Sequence, residues 1–381
     1  MHYLFNFNYL SAIVVMVLVS YAIGINLVPI VIRKVIQLNM MDEPDHRKLH
    51  AVPTPSMGGL AIIASIYLTI IVPVFYMSFQ EAAFILVALI SFALLGFFDD
   101  WKDLNAKFKL FVQLAFASAA YFLGFKIDHA FGLFGVEEIA PIASYILTVG
   151  LYILLINAYN LIDGIDGLAG GILVINLCFF IIIFLMFDHY GFALLSAITL
   201  GAVFGFLKYN FHPAKIFMGD SGSLPLGMLM AVFTFESLAL VPRSYEEIHS
   251  HIWLIPALVA VNSIPFFDTL RVFIVRIMKG KSPFNADRIH LHHIFQKNNF
   301  GHTQISLFIH ASHLIIIMFA IICTQWTTIT VDVFSVVAFS AIAFEMNTFL
   351  RIREKTKQKS LLKEELEQFN KKNRFLHSLK K

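Results

Sequence analysis

Long apolar runs, such as Leu147 to Ile156 and Leu177 to Phe187, recur along the chain and are separated by short polar stretches. They lack the alternation of an outer-membrane strand, and a helix needs about 20 apolar residues to cross a bilayer. The pattern predicts an all-α, polytopic integral membrane protein with about eleven transmembrane helices. They are expected over residues 10–32, 58–77, 82–98, 109–124, 144–161, 169–187, 191–207, 224–242, 252–275, 306–323 and 327–349. Pro265 is expected to kink the ninth. Residues 1–349 thus form a transmembrane domain, and residues 350–381 a polar tail.

Composition sharpens this picture. Hydrophobic residues make up 58% of the 381 and charged ones 14%, against about 25% charged in soluble domains, which excludes a disordered or a soluble globular chain. Cys178 and Cys323 both lie in apolar runs, so neither a disulfide framework nor a zinc-thiolate site is available. Met1 to Leu10 lacks a basic segment and the first Lys or Arg is Arg33, which reads as a retained first span rather than a cleaved signal peptide.

Eleven spans put the termini on opposite sides. With that topology 26 of the 28 Lys and Arg residues fall on one side and only Lys126 and Arg243 on the other. Basic loops stay inside, so the N-terminus is expected outside and the tail in the cytoplasm. The tail carries 11 basic and 4 acidic residues, with Leu362, Leu366 and Phe369 at roughly helical spacing. A helix lying on an anionic leaflet and a plain solvated helix both fit.

Ionisable groups in a membrane domain are costly and usually mark function. Asp99, Asp100, Asp103, Asp163, Asp166, Asp220, Asp268 and Asp287 all fall at the ends assigned to the cytoplasm. If the third helix continues a turn, Asp103 is i+4 from Asp99 and i+3 from Asp100, which gathers three acids on one face. Lys107 and Lys109 follow at once. Adjacent carboxylates suit a general base or a Mg²⁺ ligand set, while a solvated loop that stops two helices explains the segment equally.

The next polar loop reads Asn157-Ala-Tyr-Asn160-Leu-Ile-Asp163-Gly-Ile-Asp166-Gly. Oxygen donors at three-residue spacing, with glycines allowing close backbone approach, make a hard-cation or sugar site; helix capping accounts for only one of them. Phe217-Met-Gly-Asp220-Ser-Gly-Ser223 precedes another span. Backbone N–H groups at that helix start could hold phosphate and Asp220 a bridging metal. There is no Walker loop, so a P-loop nucleotidase is disfavoured. Finally, Asp287-Arg288-Ile-His290-Leu-His292-His293 offers donors for phosphate or sugar oxygens; its spacing does not suit zinc, and a plain basic loop is the alternative. Arg47-Lys48-Leu-His50 before Pro53-Thr-Pro55-Ser-Met-Gly58-Gly59 also fits simple inside-positive charge.

Taken in order from Arg47 to His293, these blocks resemble the polyprenyl-phosphate N-acetylhexosamine-1-phosphate transferases, glycosyltransferases of the family 4 type. The interrupted histidines, with Leu291 between them and His293-Ile-Phe-Gln following, look like the GlcNAc-1-phosphate branch rather than the phospho-MurNAc-pentapeptide branch. The resemblance implies transfer of HexNAc-1-phosphate from UDP-HexNAc to undecaprenyl phosphate, with UMP released and Mg²⁺, or alternatively Mn²⁺, as cofactor. It implies an inner-membrane enzyme whose active site faces the cytoplasm and starts a cell-surface polysaccharide. It implies no nucleic-acid partner and leaves a homodimer open. By the same resemblance Asp99, Asp100 and Asp103 are catalytic, and Asp220 with Asn160 holds the metal. Phe217, Asp163, Asp166 and Asn157 would meet the nucleotide sugar, and Lys107, Lys109, Arg288, His290, His292 and His293 the diphosphate or sugar. The rival class is a cation-binding transporter, but such sites usually sit at mid-membrane on broken helices.

Overall fold

The computed structural model describes residues 7–38, 40–42, 53–242, 251–278, 280, 301–323 and 328–342. Its helices are α1 (Phe7–Gln37), α2 (Gly59–Thr69), α3 (Ile71–Val74), α4 (Phe79–Lys102), α5 (Ala106–Phe122), α6 (Pro141–Leu161), α7 (Leu168–Met186), α8 (Tyr190–Asn210), α9 (Asp220–Ala239), α10 (Leu254–Met278), α11 (His302–Cys323) and α12 (Ile329–Ile342). Eight of these, α1, α4 and α6 to α11, are long and apolar enough to cross a bilayer. The chain is therefore an all-α polytopic membrane protein. Every segment expected to span contains helix, and α10 runs on through Pro265. Arg47, Lys48, His50, Arg288, His290, His292, His293 and the tail lie outside the described residues.

Local chemistry sets the helix ends. Ser78 accepts the Glu81 N–H at 3.3 Å while Glu81 accepts the Ser78 N–H at 2.8 Å, a reciprocal cap that starts α4. Asn105 accepts the Lys107 N–H at 2.9 Å to start α5, and Pro141 opens α6, where a missing N–H costs nothing. Two short antiparallel pairs interrupt the helices. Met41 pairs with Pro55 and Asp42 with Thr54, and a hairpin joins β3 (His129–Leu133) to β4 (Val136–Glu138).

Helices α8 and α9 form the centre, buried on nearly every side. Around them α1 packs along α8, held in part by Ser20 Oγ donating to the Ile198 carbonyl at 2.6 Å. Helices α4 and α6 flank α9. Large apolar side chains on the outside, among them Val15, Leu18, Val87, Leu94, Phe111, Ile146 and Ile315, are exposed, as lipid contact requires.

Inside the bundle a chain of polar side chains crosses five helices. His313 on α11 meets Asn176 Oδ1 on α7 at 2.7 Å, and Asn176 donates to the Tyr159 hydroxyl on α6 at 2.6 Å. That hydroxyl donates to Asn262 Oδ1 on α10 at 3.3 Å, and Asn262 donates to Thr234 Oγ1 on α9 at 3.0 Å.

Candidate active site

The polar ends of α4, α5, α6, α8 and α9 converge at one end of the bundle, while the β3–β4 hairpin lies at the other. Small residues make the convergence possible. A Cβ on Gly96 of α4 would fall 2.1 Å from the Asp220 carbonyl oxygen, and one on Gly59 would fall 2.1 Å from Gly222 Cα, so both contacts are backbone against backbone. The Pro-rich segment before α2 is stitched to the start of α9: Phe217 N–H donates to Pro55 O at 2.9 Å, and Gly58 and Gly59 donate to Phe217 O and Met218 O at 2.8 Å each.

Around this junction sits a charged cluster. Lys109 Nζ lies 2.7 Å from Asp99 Oδ2 and 3.7 Å from Asp220 Oδ2, so one ammonium serves two carboxylates on different helices. Asn160 donates to Asp220 Oδ1 at 2.7 Å and to Ser223 Oγ at 2.8 Å. The cluster faces a cleft of ≈ 520 Å³ lined by Leu38, Met40, Met41, Ser56, Asp99, Asp100, Trp101, Asp103 and Asp220.

Several residues behave differently from the sequence expectation. Asp100 Oδ1 accepts the Asp220 N–H at 2.9 Å and Oδ2 the Ser221 N–H at 3.1 Å. Its carboxylate therefore caps α9, where negative charge is favourable. The next two N–H groups, of Gly222 and Ser223, bond to the Gly219 carbonyl, so the helix start expected to cradle phosphate is already engaged by protein. Helix α4 does not continue through Asp103, which ends it with a left-handed φ of 49° and stands exposed; the expected helical triad of acids is not formed. Asn157 donates to Gln113 Oε1 at 2.8 Å and to the Ile153 carbonyl at 2.7 Å, tying α6 to α5. Lys107 is exposed at the start of α5 and Phe217 half-buried beside the Pro55 strand.

The two acids of the α6–α7 loop have opposite environments. Asp163 is half-buried, and its loss of solvent, reinforced by the charge of Asp100, pushes its carboxyl up to about 7 even though the Gly219 N–H favours the anion. For Asp166 burial also opposes charge, but His302, His212 and the Ala214 N–H outweigh it and hold the group down at about 2. Neither histidine stood out in the sequence. His212 lies five residues before Phe217 and could have drawn attention, whereas His302 carries no local signal.

The Asp163 environment predicts a stability effect. A carboxyl near 7 when folded and about 3.9 when unfolded binds more protons in the folded state between those values. Stability from this group is therefore lost as pH rises from about 4 to about 7 and is level above. In Mg²⁺-free detergent buffer, Asp163→Asn should gain in melting temperature over the parent between pH 5 and pH 8. A difference that stays constant across that range would exclude the effect.

Fold and site together define a polytopic membrane enzyme with an anionic, oxygen-rich cleft at one bundle end. A family model described as glycosyl transferase family 4 matches residues 82–238. The chain is 34% identical over 340 residues, 88% of its own length and 92% of the relative's, to the probable undecaprenyl-phosphate N-acetylglucosaminyl 1-phosphate transferase of Bacillus subtilis (strain 168). It is 33% identical over 296 residues, 72% of this chain and 74% of the other, to the decaprenyl-phosphate N-acetylglucosaminephosphotransferase of Mycobacterium leprae (strain TN). A phospho-N-acetylmuramoyl-pentapeptide-transferase of Clostridium botulinum (strain Eklund 17B / Type B) is 32% identical over 306 residues, 76% and 89%. The chain belongs to glycosyl transferase family 4 and is a glycosyl-1-phosphate transferase.

Proposed function

We propose that this enzyme transfers GlcNAc-1-phosphate from UDP-GlcNAc to undecaprenyl phosphate, giving GlcNAc-diphosphoryl-undecaprenol and UMP. The observation that carries the reading is the Lys109–Asp99–Asp220–Asn160 cluster at the polar end of an otherwise apolar bundle. An acceptor with a lipid tail and a phosphate head needs that combination of surfaces. The relatives' names supply the sugar and the lipid, and Leu291 between the histidines supports GlcNAc over the muramoyl donor.

In the reaction an oxygen of the acceptor phosphate attacks the β-phosphorus of the UDP-sugar. A new P–O bond forms, and the bond from the β-phosphorus to the bridging oxygen breaks with its electrons going to UMP. Two anions must approach, so positioning and charge compensation dominate the barrier. Asp220 and Asp99 present hard oxygen donors that fit Mg²⁺; Asn160, whose amide N–H₂ faces Asp220 and Ser223 here, would join them by turning its oxygen inward, and Lys109 already marks the spot as one that holds a cation. Bound there, Mg²⁺ would screen the phosphates and stabilise charge on the phosphoryl oxygens. Lys109 is placed to meet phosphate oxygens and Asp100 to hold the start of α9 in register. A monoester phosphate has a second pKa of about 6, so at neutral pH the acceptor is largely deprotonated without help. Asp99 is engaged by the Leu104 N–H and Lys109, which supports an orienting and electrostatic role rather than proton removal.

The test is UMP release by detergent-solubilised protein with polyprenyl phosphate and UDP-GlcNAc, UDP-GalNAc or UDP-MurNAc-pentapeptide. UDP-GlcNAc should be turned over best. Efficient transfer from UDP-MurNAc-pentapeptide with UDP-GlcNAc ignored would move the enzyme to the other branch.

The same proposal includes eleven crossings of the inner membrane, an N-terminus outside and a cytoplasmic active site, on the strength of the 26 to 2 distribution of basic residues. Asn105 lies at the site end and Glu137 in the opposite hairpin. Single cysteines at these positions, in a background lacking Cys178 and Cys323, should react with an impermeant thiol reagent on intact cells only at Glu137. Labelling at Asn105 alone would invert the orientation.

A further inference from the structure

Outside the Lys109 cluster, one group of side chains has the chemistry of a different metal. Asp166 stands in the α6–α7 loop, His212 in the segment after α8, and His302 opens α11. Three separate stretches of chain thus aim at one point. Asp166 Oδ2 lies 2.7 Å from His212 Nδ1, and Asp166 Oδ1 lies 3.2 Å from His302 Nδ1. One oxygen and the two ring nitrogens lie within 4.8 Å of one another, and the two rings are 5.0 Å apart at a tilt of 40°.

Those separations are close to what a tetrahedral ion demands. With zinc–nitrogen and zinc–oxygen bonds of about 2.0 to 2.2 Å, ligand atoms sit about 3.3 Å from each other. Asp166 Oδ1 is already near that distance from His302, at 3.2 Å, whereas the 2.7 Å hydrogen bond from Oδ2 to His212 must widen and the gap between the histidines must close. His212 can supply the movement, since its side chain is 47% exposed while that of His302 is 18% exposed. The same exposure leaves a fourth position open to water. The Ala214 N–H also donates to Asp166 Oδ2 at 3.1 Å and helps to fix the carboxylate between the two rings.

We propose that Asp166, His212 and His302 form a transition-metal site, of Zn²⁺ type, separate from the Mg²⁺ donors Asp220 and Asn160. Two imidazoles and one carboxylate select a borderline-soft ion, whereas Mg²⁺ prefers oxygen throughout. Occupation pins the α6–α7 loop, the segment after α8 and the start of α11 to one another.

The test titrates Co²⁺, as a visible reporter of Zn²⁺ geometry, into the full-length purified protein in detergent with Mg²⁺ in large excess. The expected result is the intense visible absorption of four-coordinate Co²⁺, saturating near one ion per chain and removed by equimolar Zn²⁺. His212→Gln and His302→Gln should each weaken the affinity at least about tenfold. Zn²⁺ should also raise the melting temperature of the parent protein and not of the variants. His212 is exposed enough for its variant to fold, and a second measurement needs no variant: Zn²⁺ should protect His212 from diethylpyrocarbonate, read by peptide mass. Absence of four-coordinate absorption in the parent, undiminished affinity in both variants, or an unprotected His212 at saturating Zn²⁺ would each overturn the site.

Discussion

Replacing Asp220 by alanine is expected to lower turnover on the order of 10³-fold, the scale seen when a preorganised electrostatic group is removed from a transition state. The side chain accepts from Asn160 at 2.7 Å and lies 3.7 Å from Lys109 Nζ, so its loss frees an amide and leaves the ammonium to Asp99 alone. The fold should survive, because the bond from Asp220 to Asp100 comes from the backbone N–H and is kept by alanine. Product formation at saturating substrates, together with gel filtration and a melting curve in detergent, checks both halves. Asp220→Asn should be similarly impaired, since it preserves shape and removes only the charge. Undiminished turnover in either variant would take Asp220 out of the site.

Gly96→Ala should be nearly as damaging although Gly96 carries no chemistry. Its new methyl would lie 2.1 Å from the Asp220 carbonyl oxygen and 2.3 Å from the Ser221 nitrogen, so α4 and α9 must part by more than an ångström. Overpacking of this kind costs about 1 to 3 kcal/mol. The shift also falls where Asp100 holds the α9 start, and a displacement of about 1 Å can cost about 10²-fold in rate. Gly150→Ala is the control: nothing lies within 4 Å of its added carbon, and inside α6 it should leave activity unchanged and stability level or higher by up to about 1 kcal/mol. Equal melting temperatures and activities for the two variants would refute the argument.

The helices were legible because continuous apolar runs have few other uses, and the cluster Asp99, Lys109, Asn160 and Asp220 because each residue sits in a motif at a polar helix end. The missing parts depend on partners remote in sequence. Asp100 reads as a free acid until the N–H groups of Asp220 and Ser221, 120 residues away, are seen to take its oxygens. Asn157 was expected at the nucleotide sugar from its motif alone, and its amide is tied to Gln113, 44 residues earlier, a partner the motif does not show. Asp103 was misplaced by assuming that α4 runs on, when a left-handed residue turns the chain towards Asn105 and a new helix. The β3–β4 hairpin escaped notice because its strands are short and its Phe-Gly-Leu-Phe-Gly tip looks like any apolar connection.

The polar chain from His313 to Thr234 has a bearing on how the molecule assembles. Contacts between apolar helices in lipid are nearly interchangeable: slide one helix by a turn and leucine still meets leucine. An amide has no such tolerance, because away from its partner it faces hydrocarbon with nothing to bond. Asn176 and Asn262 act as keyed pins at which α6, α7, α9, α10 and α11 recognise their correct depth in the bilayer. Late-inserted helices α10 and α11 therefore find their seats by matching hydrogen bonds, and Asn160, one residue beyond Tyr159, is delivered to Asp220 by that alignment.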